Sequence, residues 1–127
     1  MIFHYNLKFK KTVVDVITPT IYFLRKNNYK NIAILATKNT IIMDIYSKLI
    51  DCKIHYIDAT TLINELQNDL VNEDTILELL NQVNNNCDAI LLGCTHLIKI
   101  KELFRKNTNI NVLSQDEIFT LFLNEKI

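Results

Sequence analysis

The sequence predicts an α/β protein with an open, mainly parallel β-sheet and flanking helices. Short runs of β-branched and other apolar residues alternate along the chain with longer segments that repeat apolar residues at the helical period. The central runs are apolar throughout, as expected for strands that helices cover on both faces. The chain has 127 residues, which predicts one α/β domain over 1–127 with a core that needs no disulfides.

Five segments have the composition of strands. NIAILAT (31–37) and DAILLG (88–93) are continuously apolar, which indicates central strands buried on both faces. The remaining three are TVVDVI (12–17), KIHYI (53–57) and NINVL (109–113).

The first helix follows the segment 12–17. Pro19 stands near its first turn, where the missing amide hydrogen costs nothing. This helix is expected to extend to about Asn28. Later in the chain, Asn72 is typical of an N-cap, because two acidic residues follow it at the positive end of the helix dipole.

Apolar spacing predicts which faces of the other helices are buried. In a helix over 40–50, we expect Ile42, Ile45 and Leu49 to face the core. A helix over 97–106 should bury Leu97, Ile100 and Phe104. Two further helices are predicted over 60–68 and 115–124.

Charge and hydropathy exclude several classes of protein. Fourteen basic side chains balance fourteen acidic ones, so binding to nucleic acid through bulk charge is not expected. No run of about 18 apolar residues could cross a bilayer. The segment MIFHYNLKFKK (1–11) carries charges where a signal peptide is apolar. We therefore expect a cytoplasmic protein that binds neither nucleic acid nor membranes.

The three cysteines are Cys52, Cys87 and Cys94. Their odd number and the lack of a CxxC motif argue against a disulfide framework and against a zinc site. We therefore expect reduced thiols and no metal.

The only glycine in the chain, Gly93, ends a predicted buried strand and is followed by Cys94, Thr95 and His96 at the start of a helix. Ligands of open α/β sheets bind at the carboxyl ends of strands. A helix N-terminus lowers the pKa of a thiol, glycine lets a ligand approach closely, and histidine titrates near neutral pH. The segment is a candidate acid/base site; a buried structural cysteine beside a helix-capping threonine is the alternative.

DAILLGCTH (88–96) resembles the second-half signature of the glutamate racemases, within the aspartate/glutamate racemase superfamily. Four other segments resemble parts of that family in the same order: VVDVITP (13–19), IAILATKNT (32–40), TLINEL (61–66) and NVLSQDEIFTLFL (111–123). The resemblance therefore covers nearly the whole chain and implies the fold of one lobe.

The resemblance implies racemisation of glutamate without a cofactor, which supplies D-glutamate for peptidoglycan precursors and so serves the cell wall and cell shape. In that reaction one cysteine thiolate takes the α-proton and a second thiol protonates the opposite face. Cys94 matches the second cysteine. Thr95 and His96 match adjoining substrate contacts, and His96 would also support proton transfer. Thr37 and Thr40 match hydroxyls that line the same cleft.

The family's first catalytic cysteine lies upstream of the segment that matches 13–19, so the resemblance implies a truncated racemase. We expect this chain alone to be inactive, and to need a separately encoded first lobe or a homo-oligomer. The alternatives are a catalytically inactive remnant, a binder of a small dicarboxylate, or an aspartate racemase. Asn64 stands where the family commonly has Glu, with Glu65 beside it; Cys52 and Cys87 are expected to be structural.

Overall fold

The computed structural model describes residues 2–7, 10–15 and 17–126, and the side chains of 17–125. In chain order the elements are β1 (Ile2–Leu7), β2 (Lys10–Asp15), α1 (Ile17–Lys26), β3 (Asn31–Ala36), α2 (Lys38–Met43), α3 (Ile45–Leu49), β4 (Lys53–Asp58), α4 (Thr60–Gln67), α5 (Glu73–Asn81), β5 (Ala89–Leu92), a 3₁₀ helix (Thr95–Ile100), α6 (Lys101–Lys106), β6 (Asn111–Ser114) and α7 (Gln115–Lys126).

Within these residues, β3 to β6 form a four-stranded sheet in the order β4–β3–β5–β6, and all its pairs are parallel. β1 and β2 pair separately as an antiparallel hairpin. The predicted open parallel sheet with flanking helices is therefore confirmed. The two continuously apolar runs form the central strands, where both faces are covered.

The side chains of β3 alternate between two apolar clusters on opposite faces of the sheet. Ala33 and Leu35 belong to a cluster with residues of α4, α5, the 3₁₀ helix and α6. Ile32, Ile34 and Ala36 pack instead with residues of α1, α3 and α7. This period of two is that of a β-strand, and it explains why no polar residue interrupts the run.

The chain enters the first helix earlier than predicted. β2 ends at Asp15, and α1 already begins at Ile17, so the predicted strand 12–17 is too long at its carboxyl end. Pro19 is the third residue of α1, as expected for the first turn. α1 ends at Lys26, before Asn28, whose φ of 54° is left-handed.

The prediction of a helix over 40–50 is wrong in two respects: the helix is interrupted, and it does not bury the expected face. Asp44 adopts a left-handed conformation (φ 47°, ψ 45°) that separates α2 from α3. Because this residue interrupts the helical phase, the spacing of Ile42 and Leu49 no longer places them on one face. They are 77% and 41% exposed, whereas Tyr46 and Ile50 are buried at 1% and 8%.

Two other helix predictions are confirmed in their main features. The side chain of Asn72 accepts a hydrogen bond from the amide of Asp74 at 2.9 Å, which caps α5. Leu97, Ile100 and Phe104 are buried, although the predicted helix 97–106 is a 3₁₀ helix followed by α6. The three-residue step from Leu97 to Ile100 matches the 3₁₀ period.

Candidate active site

The candidate site lies where β3 and β5 end. Leu35 of β3 pairs with Leu92 of β5, and one step further the amide of Gly93 donates to the carbonyl of Leu35 at 2.7 Å. Thr37 follows β3 directly, and Cys94 follows Gly93. The parallel register therefore brings these two residues to the same edge of the sheet, at its carboxyl end.

Gly93 is required by the packing of the two strands. A Cβ atom at this position would lie 2.8 Å from Ile34 Cγ2 and 2.9 Å from the carbonyl oxygen of Leu35. No glycine among the described residues has a positive φ. The sequence interpretation gave Gly93 a role in ligand approach. The structure instead assigns it to close contact with β3.

Cys94 is the last residue before the 3₁₀ helix and is only 9% exposed. Its Sγ lies 3.6 Å from Nδ1 of His96, within hydrogen-bonding range for sulfur. Burial raises the pKa of the Cys94 thiol, and hydrogen bonds from the amides of His96 and Leu97 offset this only in part. The predicted lowering of the pKa is therefore wrong, because desolvation outweighs the short helix.

His96 and Thr95 differ in exposure from Cys94. The His96 side chain is exposed and the Thr95 side chain is half-buried. The imidazole of His96 thus connects a buried thiol to solvent. Such a pair can exchange a proton, since a ring nitrogen at this distance can accept the thiol proton.

Thr37 and Thr40 form a hydroxyl pair at the start of α2. Thr37 is the N-cap, and its Oγ1 accepts a hydrogen bond from the amide of Thr40 at 3.3 Å. The two Oγ1 atoms are 3.1 Å apart. Both residues are half-buried at this edge.

A third strand contributes residues to this edge that the sequence interpretation did not include. Asp58 ends β4, and its Oδ1 accepts hydrogen bonds from the Thr60 hydroxyl at 2.5 Å and from the Thr60 amide at 2.9 Å. The Thr60 hydroxyl in turn accepts from the amide of Lys38 at 3.3 Å. The spacing of Asp and Thr two residues apart after a strand is typical of an Asx turn and could have indicated this arrangement.

Glu65 has a structural role in the α4–α5 connection. Its carboxylate accepts hydrogen bonds from the amide of Asn72 at 3.1 Å and from the hydroxyl of Thr75 at 2.8 Å. The side chain of Asn64 is exposed. Glu65 therefore fixes the loop that leads into α5.

The other two cysteines lie at the opposite, amino end of the sheet, because Cys52 precedes β4 and Cys87 precedes β5. Burial raises the pKa of both thiols. Cys52 also lines a cleft of about 470 Å³ at that end, together with Arg25 and Lys48. This cleft shares no residue with the edge that holds Cys94.

No disulfide joins the three cysteines. Over residues 2–7, 10–15 and 17–126, no group of three or more His, Cys, Asp or Glu side chains could hold a metal ion. In the same part of the chain, no helix combines the length and hydropathy needed to cross a bilayer.

The four-stranded parallel sheet with flanking helices is an α/β unit with the fold of one lobe of glutamate and aspartate racemases. The chain resembles glutamate and aspartate racemases in structure, which confirms the resemblance seen in the sequence motifs. No family model matches the sequence, and no curated protein gives a significant match.

Three solved structures illustrate the likeness. Glutamate racemase from Francisella tularensis, in complex with D-glutamate, is 22% identical with a TM-score of 0.70, over 89% of this chain and 48% of that chain. Aspartate racemase from Picrophilus torridus is 27% identical with a TM-score of 0.69, over 82% and 48%. Glutamate racemase from Bacillus anthracis is 22% identical with a TM-score of 0.67, over 87% and 46%. The chain thus spans about half the length of these structures.

Proposed function

We propose that this chain supplies one half of a cofactor-independent glutamate racemase, in which Cys94 serves one face of the substrate Cα. The observation that carries the proposal is the Cys94–His96 pair, 3.6 Å apart at the carboxyl edge of the sheet, in a fold shared with glutamate racemases. The D-glutamate formed would enter peptidoglycan precursors and so serve the cell wall and cell shape, in the cytoplasm and without metal or cofactor.

In the proposed mechanism, His96 removes the proton from the Cys94 thiol. This step is needed because burial raises the pKa of Cys94 and a thiol cannot abstract a proton. The imidazolium that results stabilises the thiolate beside it. The thiolate then takes the α-proton, and the electron pair left on Cα delocalises into the substrate carboxylate. A second acid on the opposite face returns a proton and completes the inversion.

Hydroxyl groups at the same edge would orient the substrate. Thr37, Thr40 and Thr95 are each half-buried, and a hydroxyl can donate to a carboxylate or accept from an ammonium group. Stabilisation of the developing charge by such fixed donors takes the place of a cofactor.

One thiol cannot reach both faces of Cα, so a second unit is part of the proposal. This unit is a separately encoded first lobe or another copy of the chain in a homo-oligomer. The exposure of α2 supports a partner at this edge: none of its residues is buried, and Ile42 and Met43 are 77% and 58% exposed.

Two alternatives each have an observation in their favour. The burial of Cys94 and its raised pKa favour a catalytically inactive remnant that binds a small dicarboxylate. The 27% identity to the Picrophilus aspartate racemase favours a test of aspartate beside glutamate.

Titration of ¹⁵N-labelled chain with D- and L-glutamate, D- and L-aspartate, and alanine as a control tests the proposal. We expect glutamate to shift the amide resonances of Thr37, Thr40, Cys94 and His96 and to leave those near Cys52 unchanged. Larger shifts with aspartate would favour the aspartate alternative. The absence of shifts with every dicarboxylate would contradict a substrate site in this chain.

A further inference from the structure

Apolar packing holds α2 only weakly, because Ile41 is partly buried against the core cluster on one face of the sheet. None of its residues Lys38–Met43 is buried, whereas α4 buries Leu62 and Ile63. α2 nevertheless carries Thr40 and is capped by Thr37. We therefore expect polar contacts at the start of the helix to contribute to the position of this hydroxyl pair.

At the start of α2, the amide of Lys38 donates to the Thr60 hydroxyl at 3.3 Å, and that hydroxyl donates to Asp58 Oδ1 at 2.5 Å. An ionised carboxylate can only accept, and a hydroxyl has one proton. The hydroxyl proton therefore points to Asp58, which turns a lone pair of Thr60 towards Lys38. Hydrogen bonds from the hydroxyl and the amide of Thr60 hold the pKa of the Asp58 carboxyl below its usual range, so it stays ionised at neutral pH.

We propose that Thr60, oriented by Asp58, is a positioning residue that fixes the first turn of α2 and with it the Thr37–Thr40 hydroxyl pair. The amide of Ile41 donates to the carbonyl of Thr37 at 3.0 Å. The contact between Thr60 and Lys38 therefore stabilises the same turn that contains both threonines. The effect of Thr60 on substrate binding rests on the proposed function, whereas its effect on α2 does not.

Amide hydrogen exchange on the ¹⁵N-labelled chain tests, without a ligand, whether Thr60 fixes the first turn of α2. In Thr60→Val, which keeps the shape but removes the hydroxyl, we expect the amides of Lys38, Thr40 and Ile41 to exchange about five- to tenfold faster. Thr60→Ser should restore the original rates. Thr61→Val is the matched control, because Thr61 is the next residue and is exposed. Unchanged rates in Thr60→Val, or an equal increase in Thr61→Val, would overturn the proposal.

Asp58→Asn is a second variant that keeps the Thr60 hydroxyl. An amide can donate to this hydroxyl and so release the fixed direction of its proton. We expect the same three amides to exchange about two- to fivefold faster, while amides of β3 and β5 keep their rates and report an intact sheet. Rates equal to those of the unaltered chain would show that Asp58 does not orient Thr60.

Glutamate titration of the same variants separates the two proposals. We expect Thr60→Val to weaken glutamate binding severalfold and Thr60→Ser to restore it. If Thr60→Val loosens the turn but binds glutamate as tightly as the unaltered chain, Thr60 does not position the substrate contacts. If the unaltered chain binds no glutamate, the proposed function fails, and exchange alone decides the role of Thr60.

Discussion

The amide of Gly93 donates to the carbonyl of Leu35 at 2.7 Å, one residue beyond the last paired residue of β5. This bond extends the pairing of the two central strands to the point where Cys94 begins. A side chain at Gly93 would contact Ile34 and the Leu35 carbonyl at less than 3 Å. The absence of a side chain is therefore what lets the two strands meet beside Cys94.

Gly93→Ala should destabilise the chain by about 1–3 kcal/mol, because the new methyl group overpacks a rigid contact between two strands. Urea denaturation followed by circular dichroism measures the change, with the exposed Thr61→Ala as a control. A free energy of unfolding equal to that of the unaltered chain would mean that β3 and β5 separate without cost at this point.

Cys94→Ser should abolish racemisation in a preparation completed by a separately expressed first lobe, because no thiolate then faces one side of Cα. Cys52→Ser and Cys87→Ser should leave racemisation intact, since both precede strands at the opposite end of the sheet. Proton NMR in D₂O follows the loss of the α-proton from D- and L-glutamate separately. Loss of activity in either control variant would contradict the assignment of Cys94.

A single copy of the unaltered chain should not racemise glutamate, because it offers one thiol at the edge that is proposed to bind the substrate. The same D₂O experiment without an added lobe measures this, together with optical rotation. A series of chain concentrations tests for a weakly associating homo-oligomer. In that case the rate of racemisation would rise more steeply than the chain concentration. Racemisation by a chain that sedimentation shows to be monomeric would contradict the need for a second unit.

His96→Asn should slow racemisation by about 10²–10⁴-fold, since it removes the group that takes the proton from Cys94. The pH profile gives a further readout. Because burial raises the pKa of Cys94, the thiolate fraction without His96 should increase only at alkaline pH, and residual activity should increase with it. Activity of His96→Asn that matches the unaltered chain at neutral pH would exclude the proposed proton transfer.

The ion pairs between α6 and α7 should make stability depend on pH. Hydrogen bonds from Arg105 hold the pKa of Glu117 below its ordinary value. A carboxyl whose pKa is lower in the folded than in the unfolded chain stabilises the fold at pH values above the unfolded-state pKa. This stabilisation is lost as the pH falls through the folded-state pKa. Glu117→Gln should thus cost about 0.5–1 kcal/mol at pH 7 and nothing near pH 2. Urea denaturation at both values checks this, with the exposed Glu78→Gln as control.

The regular elements of the fold could be predicted because their signals are local. The apolar runs of β3 and β5 and the cap at Asn72 each depend on a few adjacent residues. The break at Asp44 could not, because a left-handed conformation at a non-glycine residue has no reliable sequence signal. The burial of Tyr46 and Ile50 follows from that break.

The sequence by itself determined the α/β class, the motif that carries Cys94 and the resemblance to racemases. Only the tertiary structure decided that Cys94 is buried with a raised pKa, that Gly93 serves strand packing, and that Thr60 and Asp58 join the edge. The physical reason is that desolvation and close contact depend on which segments meet in space. Residues 58–60 and 93–94 share one edge because parallel strands bring their carboxyl ends together.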